Sequence, residues 1–196
     1  KPPTPVMVAA SDTGIDDDKN TSDTTPTFIG TAEPGSTVEL FRAGSTSLGT
    51  ATADGSGNWS ITSSALSDGT HQITVKATDS AAKVSDPSDA LAVTIDNTAP
   101  SKPSTPVLHD DSNSGSNDDN TTSDTTPTFT GTAEAGSTVE LFRAGSTSLG
   151  TTTASGGNWS ITVGTADALS NATHQITVKA TDSAANVSDP SDALAV

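Results

Sequence analysis

Almost every block of this 196-residue chain occurs twice, and an internal repeat restricts the fold to two copies of one module. Thr25-Pro26-Thr27-Phe28 returns as Thr126-Pro127-Thr128-Phe129, and Asn58-Trp59-Ser60-Ile61-Thr62 returns at residues 158–162. Residues 38–44 return at 139–145, and residues 71–79 return at 174–182. The copies differ mainly between these blocks. The segment after Thr162 is longer than the one after Thr62, and residues 12–19 are rewritten at 113–120. Variation confined to such segments marks surface loops. The alignment sets two domains, 1–97 and 98–196. They are joined by Ile95-Asp96-Asn97-Thr98-Ala99-Pro100-Ser101-Lys102-Pro103, a short stretch stiffened by Pro100 and Pro103.

Within a copy the hydrophobic period is two. Ile73, Val75 and Ala77 alternate with Gln72, Thr74 and Lys76; Leu91, Val93 and Ile95 alternate with Ala92 and Thr94. Phe28 stays Phe129 while Ile29 becomes Thr130, which puts Phe28 inside and Ile29 outside. The pattern predicts seven strands in the first copy, over residues 4–10, 25–31, 37–42, 46–53, 58–62, 71–78 and 90–95. The expected fold is all-β: two tandem immunoglobulin-like seven-stranded β-sandwiches joined end to end. A core of modest size must come from Val, Ile, Leu and Ala, because aromatics are only 3%.

Lys and Arg number 8 against 24 Asp and Glu, a formal net charge of −16. Such a chain repels nucleic acid and anionic membrane and attracts cations. It has no Cys, hence no disulfide and no thiolate metal site. No apolar run is long enough to span a bilayer, and no signal peptide is present. The chain begins and ends within the pattern, as expected of a piece of something longer.

Strands taken in up-and-down order bring particular loops to one end. The bottom of the first copy then carries Asp12, Asp16, Asp17, Asp18 and Asp96, facing Glu134 and Asp182 at the top of the second. Two such charges about 4 Å apart repel by roughly 1 kcal/mol in water and about 4 kcal/mol at an effective dielectric near 20. A hard divalent cation reverses that sign. Calcium takes about six to eight oxygen ligands and suits carboxylates on flexible loops better than magnesium does. With no thiol and no His cluster, zinc and copper are poor candidates. Glu33 and Asp79 at the first top, and Asp111, Asp118 and Asp119 at the second bottom, form the expected half-sites. Asp54 lacks an acidic counterpart and reads as turn chemistry.

An enzyme needs a nucleophile, a base and a pocket. The three His are dispersed, and no Gly-x-Ser-x-Gly elbow occurs, so a catalytic role is not expected. A glycan- or protein-binding surface module is the alternative reading, with Trp59 and Trp159 as the platforms. Their inward alternation with Ile61 and Ile161 reads instead as core.

Residues 25–38, Gly57-Asn58-Trp59-Ser60, residues 77–82 and residues 93–100 together resemble the bacterial Ig-like tandem repeats of giant surface adhesins. These include the RTX adhesins of Gram-negative bacteria. The resemblance covers both copies almost end to end. It implies an exported, extracellular protein at the bacterial cell surface, secreted by a type I system. There, many such repeats form a monomeric rod, each with its neighbouring repeats as partners. The rod extends an adhesive tip used in attachment and biofilm formation, without inserting into a membrane. It further implies calcium (Ca2+) at the joints. The family's joint acids match Asp96, Glu134, Asp182 and the acidic loop at residues 12–18. The chain stops at Val196, before a second Ile-Asp-Asn-Thr-Ala-Pro, so only one joint is complete.

Overall fold

The computed structural model describes residues 1–114, 116 and 119–196. The chain divides into two compact units at Thr98 and Ala99. Among the described residues, the strands of the first module are β1 (Val6–Met7), β2 (Asn20–Thr21), β3 (Thr27–Thr31), β4 (Thr37–Arg42), β5 (Thr46–Thr52), β6 (Asn58–Thr62), β7 (Gly69–Thr78) and β8 (Leu91–Ile95). One sheet has the order β1-β3-β6 and the other β2-β8-β7-β4-β5. Two sheets pack face to face because each alternating strand has one apolar face to bury. This is the immunoglobulin-like sandwich expected from the period-two pattern.

The antiparallel pairings agree with strands that alternate in direction, and the neighbour order adds what alternation leaves open. β3 pairs with β6, and β4 pairs with β7, so the chain crosses between sheets as it goes. Alternation says which face of a strand is inside but not which strand lies beside it. The first strand is also not continuous. β1 pairs with β3 in one sheet, while β2 lies parallel to β8 in the other. A 3₁₀ turn at Ala9–Ser11 starts the crossing, and residues 12–19 complete it. Two hydroxyls lock it: Ser11 Oγ accepts the Thr27 N–H at 3.1 Å, and Thr21 Oγ1 donates to the Ser11 carbonyl at 2.6 Å.

Phe28, Val38, Leu40, Ile73, Val75 and Val93 are all 0% exposed and form the centre of the core. Trp59 lies against Gly30 on the neighbouring strand. A Cβ at Gly30 would sit 2.5 Å from Trp59 Cζ2, so glycine makes room for the indole. β8 pairs with only the first half of β7. Farther along, the N–H of Val75 donates to Ser88 Oγ at 3.0 Å and that of Ala77 to Ser85 Oγ at 3.1 Å. The N–H groups of Ser88 and Ser85 in turn donate to the carbonyls of Val75 and Ala77. Two serines thus stand in for a missing length of edge strand, keeping buried backbone groups satisfied.

The second module repeats this plan with β9 (Val107–Leu108), β10 (Thr128–Thr132), β11 (Thr138–Arg143), β12 (Thr147–Thr153), β13 (Asn158–Thr162), β14 (Gln175–Thr181) and β15 (Leu194–Ala195). Its sheets are β13-β10-β9 and β12-β11-β14-β15. Phe129, Val139, Leu141, Ile176 and Val178 are 0% exposed. Trp159 packs on Gly131, and Ser191 and Ser188 cap Val178 and Ala180 as before.

Candidate functional site

The acidic loop of the first module closes on itself. Asp12 is buried, its side chain 5% exposed, where the chain leaves the 3₁₀ turn. Its Oδ2 accepts the Asp17 N–H at 3.0 Å and lies 3.5 Å from Lys19 Nζ. Lys19 Nζ also donates to Asp17 Oδ1 and, at 3.2 Å, to the Asp17 carbonyl. Asp18 Oδ1 accepts the Asn20 N–H at 2.8 Å, and Asp16 is exposed. Asp17 and Lys19 both have left-handed backbones, φ 71° and 61°. The hydrogen bond to Lys19 and the charge of its ammonium hold the Asp17 carboxyl below its usual range. The same hydrogen bond raises Lys19 above its ordinary value. Lys19 is the residue that sequence reasoning passed over in this loop. A basic residue within a run of acids was the available signal.

At the end of β8, the Asp96 N–H donates to the Thr21 carbonyl at 2.9 Å, and Asp96 Oδ1 accepts the Thr98 N–H at 3.1 Å. Asp68, absent from the sequence-derived set, joins it. Its Oδ1 accepts the Asn97 N–H at 3.2 Å, and its Oδ2 accepts from Thr98 Oγ1 at 3.1 Å. Asp68 and Asp96 together hold the first residues of the linker on the first module. Only the tertiary pairing of the β7 start with the β8 end brings them together.

At the opposite end of this module, Glu33 and Asp79 line one cavity of about 420 Å³, together with Lys1 and Lys83. Asp79 Oδ1 accepts the N–H groups of Ala81 and Lys83, both at 2.9 Å, so the carboxylate caps the turn after β7. The Glu33 carbonyl accepts the Ser36 N–H and hydroxyl while its side chain is exposed.

In the second module, Glu134 is likewise exposed, with its carbonyl held by Ser137. Asp182 caps the turn after β14: Oδ1 accepts the Asn186 N–H and Oδ2 the Asn186 amide, both at 2.9 Å. Asp119 Oδ1 accepts the Thr121 N–H at 2.9 Å. The Asp111 carboxylate lies 3.7 Å from His109 Nδ1 and is exposed. Asp118 lies outside the described residues. Within either module, no three described acid or His side chains gather closely enough to share a metal ion. Most of the sequence-derived acids therefore carry a visible local job, as caps of turns or ends of strands.

Two other side-chain sets are structural. Trp59 and Trp159 are 4% exposed, which removes them as sugar platforms. His71 and His174 each bond a loop carbonyl four residues earlier, at 2.7 and 2.8 Å. Asp54 is turn chemistry, as expected: its Oδ1 accepts the N–H groups of Ser56 and Asn58, both at 2.8 Å. Those backbone bonds hold its carboxyl below the usual range.

Two sandwiches of this topology, whose exposed carboxylates lie mostly in turns and loops, define a tandem Ig-like protein. Residues 1–97 and 99–196 each match the family model described as "Bacterial Ig-like domain", and the chain belongs to that family. No curated protein matches. Among solved structures, the chain is 17% identical to the fibronectin(III)-like modules of Clostridium thermocellum CbhA. That match covers 97% of this chain and 92% of the other at a TM-score of 0.50, a likeness of fold. It is 24% identical to the BSP domain of a biofilm-associated protein, over 90% of this chain, with a TM-score of 0.36. It is also 24% identical to part of a 1.5-MDa bacterial ice-binding adhesin, over 96% of this chain and 61% of that one, with a TM-score of 0.40. The chain spans 28% of the biofilm-associated structure. Among the described residues, no helix is long and apolar enough to cross a membrane.

Proposed function

We propose that the chain is a non-catalytic extender segment of a large bacterial surface adhesin, exported to the cell surface and stiffened by calcium where its repeats meet. The observation that carries this reading is the repetition itself. One bacterial Ig-like module occurs twice, with the same core and a linker of a few residues. Copies in tandem give length, and length projects a distal tip for attachment and biofilm formation. Calcium is the proposed ligand of Asp96, Glu134 and Asp182, with Asp16 and Asp18 contributing from the loop. Asp12 and Asp17 are already engaged by Lys19. Oxygen ligands of this kind suit a hard divalent cation. The segment acts as a monomeric rod whose partners are the neighbouring repeats, and the secretion route proposed is that of the RTX adhesins.

Small-angle scattering with millimolar calcium and then with EDTA tests it. The maximum dimension and rigidity should fall when calcium is removed. The Asp96→Asn/Asp182→Asn variant should behave as the EDTA sample while both modules stay folded. Coincident profiles with and without calcium would remove calcium from the account. Unchanged calcium affinity in the double variant would refute the ligand assignment.

A further inference from the structure

The Lys19 ammonium sits where a coordinated cation would. Three oxygens converge on it: Asp17 Oδ1, the Asp17 carbonyl at 3.2 Å and Asp12 Oδ2 at 3.5 Å. Its side chain is only 22% exposed, although lysine ordinarily keeps its head in water. Asp12 is more deeply buried, and its other oxygen, Oδ1, has no hydrogen-bond partner. A buried carboxylate with one orphaned oxygen is costly unless positive charge is close. Lys19 also holds a backbone of φ 61°, which a side chain other than Gly or Asn adopts at some cost.

The second module supplies the comparison. Asn113 stands in the place of Asp12, and Asn120, with φ 53°, in the place of Lys19. The left-handed position is kept at Asn120 while the charges of this pair disappear together. Asp12 and Lys19 are thus in contact in one module and are replaced together in the other.

We propose that Lys19 is a tethered cation occupying the place of a metal ion in the 12–19 loop. The Asp12–Asp17 cradle consequently takes no calcium as it stands, whatever Asp16 and Asp18 do at the joint, and removing the ammonium opens a calcium site on Asp12, Asp17 and the Asp17 carbonyl. Calcium accepts just such a mixture of carboxylate, carbonyl and water oxygens. The inference goes beyond the proposed joint calcium and does not depend on it.

The test uses the whole two-module chain with calcium as the only probe, in isothermal titration and in amide NMR. Lys19→Asn should bind one more ion per chain than the parent, with calcium-dependent amide shifts at Asp12 and Asp17 that the parent lacks. Lys19→Arg should bind no additional ion. Asp12→Asn/Lys19→Asn, which copies the pair of the second module, should fold as the parent does and also bind none. The extra ion should persist when Lys19→Asn is combined with Asp96→Asn and Asp182→Asn, which separates this site from any at the joint. Calcium-dependent shifts at Asp12 and Asp17 in a chain that keeps Lys19 but carries Asp96→Asn and Asp182→Asn would overturn the proposal. So would a Lys19→Asn protein with unchanged stoichiometry, or one whose loop is disordered and not restored by calcium.

Discussion

Phe28, Val38, Leu40, Ile73 and Val75 in the first module have the same burial as Phe129, Val139, Leu141, Ile176 and Val178 in the second. The loops leaving the first strands do not match. Residues 12–19 carry four aspartates and a lysine that binds two of them, whereas the equivalent positions of Asp12 and Lys19 are the neutral Asn113 and Asn120. The β5–β6 turns differ too, with Asp54 in one module and Ser155 in the other. One backbone plan tolerates two charge arrangements because the core contributes most of the stability and the loops only need their buried polar groups met. Core burial is a large term of several kcal/mol per side chain, while an exposed ion pair contributes about 0–1 kcal/mol.

That equivalence of cores is the easiest part of the comparison to break. Phe28→Ala should cost the first module about 3–5 kcal/mol, and Phe129→Ala should cost the second the same. Hydrogen exchange read by mass spectrometry reports each module separately. Costs that differ by more than about 1 kcal/mol would show that the two cores are not energetically alike.

The serine clamps come next in size. Ser88→Ala leaves the Val75 N–H without its acceptor, and Ser191→Ala does the same to Val178. An unsatisfied buried donor costs about 1–3 kcal/mol, so exchange should quicken in β7 and in β14 by similar factors. No change at Val75 or Val178 would mean that another acceptor replaces the hydroxyl.

The smallest effect sharpens the difference between loops. Asp54 and Asp17 both have lowered carboxyl pKa values in the folded protein, through backbone hydrogen bonds in one case and Lys19 in the other. Their stabilisation is present above the unfolded value of about 3.9 and is lost as pH falls through the lower folded values. Ser155 has no carboxylate to titrate, and Asp54 has no other counterpart. Exchange protection in the first module should therefore fall more steeply than in the second as pH drops below about 4. Asp54→Ser should narrow that gap, and an unchanged gap would assign the acid response elsewhere.

The strands were legible because one face of each is buried. Residues 37–42 and 58–62 were expected as strands and form β4 and β6 at those limits. The strand expected at 4–10 is a strand only at Val6–Met7, and β2 at Asn20–Thr21 falls where none was expected. β1 and β2 are two residues each, too short for a period to register, and their split depends on Ser11 and Thr21 meeting across the loop. The paired serines of Ser85-Asp86-Pro87-Ser88 looked like any polar loop. Their role appears only when the unpaired half of β7 lies beside them.

The candidate site divides in the same way. Which residues are acidic, and that Asp54 has no acidic partner copy, was plain in the repeat. That Glu33 and Asp79 share one end of the first module was expected, and they line one cavity; that Asp68 joins Asp96 was not, because that contact spans a long stretch of chain. By itself the sequence determined the number of modules, the all-β class, the inward faces and the excess of negative charge, since repetition, period and composition are local properties. Only the tertiary structure decided strand neighbours, the sheet switch at residues 12–19 and the place of Lys19 among its aspartates. Those depend on distances between residues that the chain order leaves unconstrained.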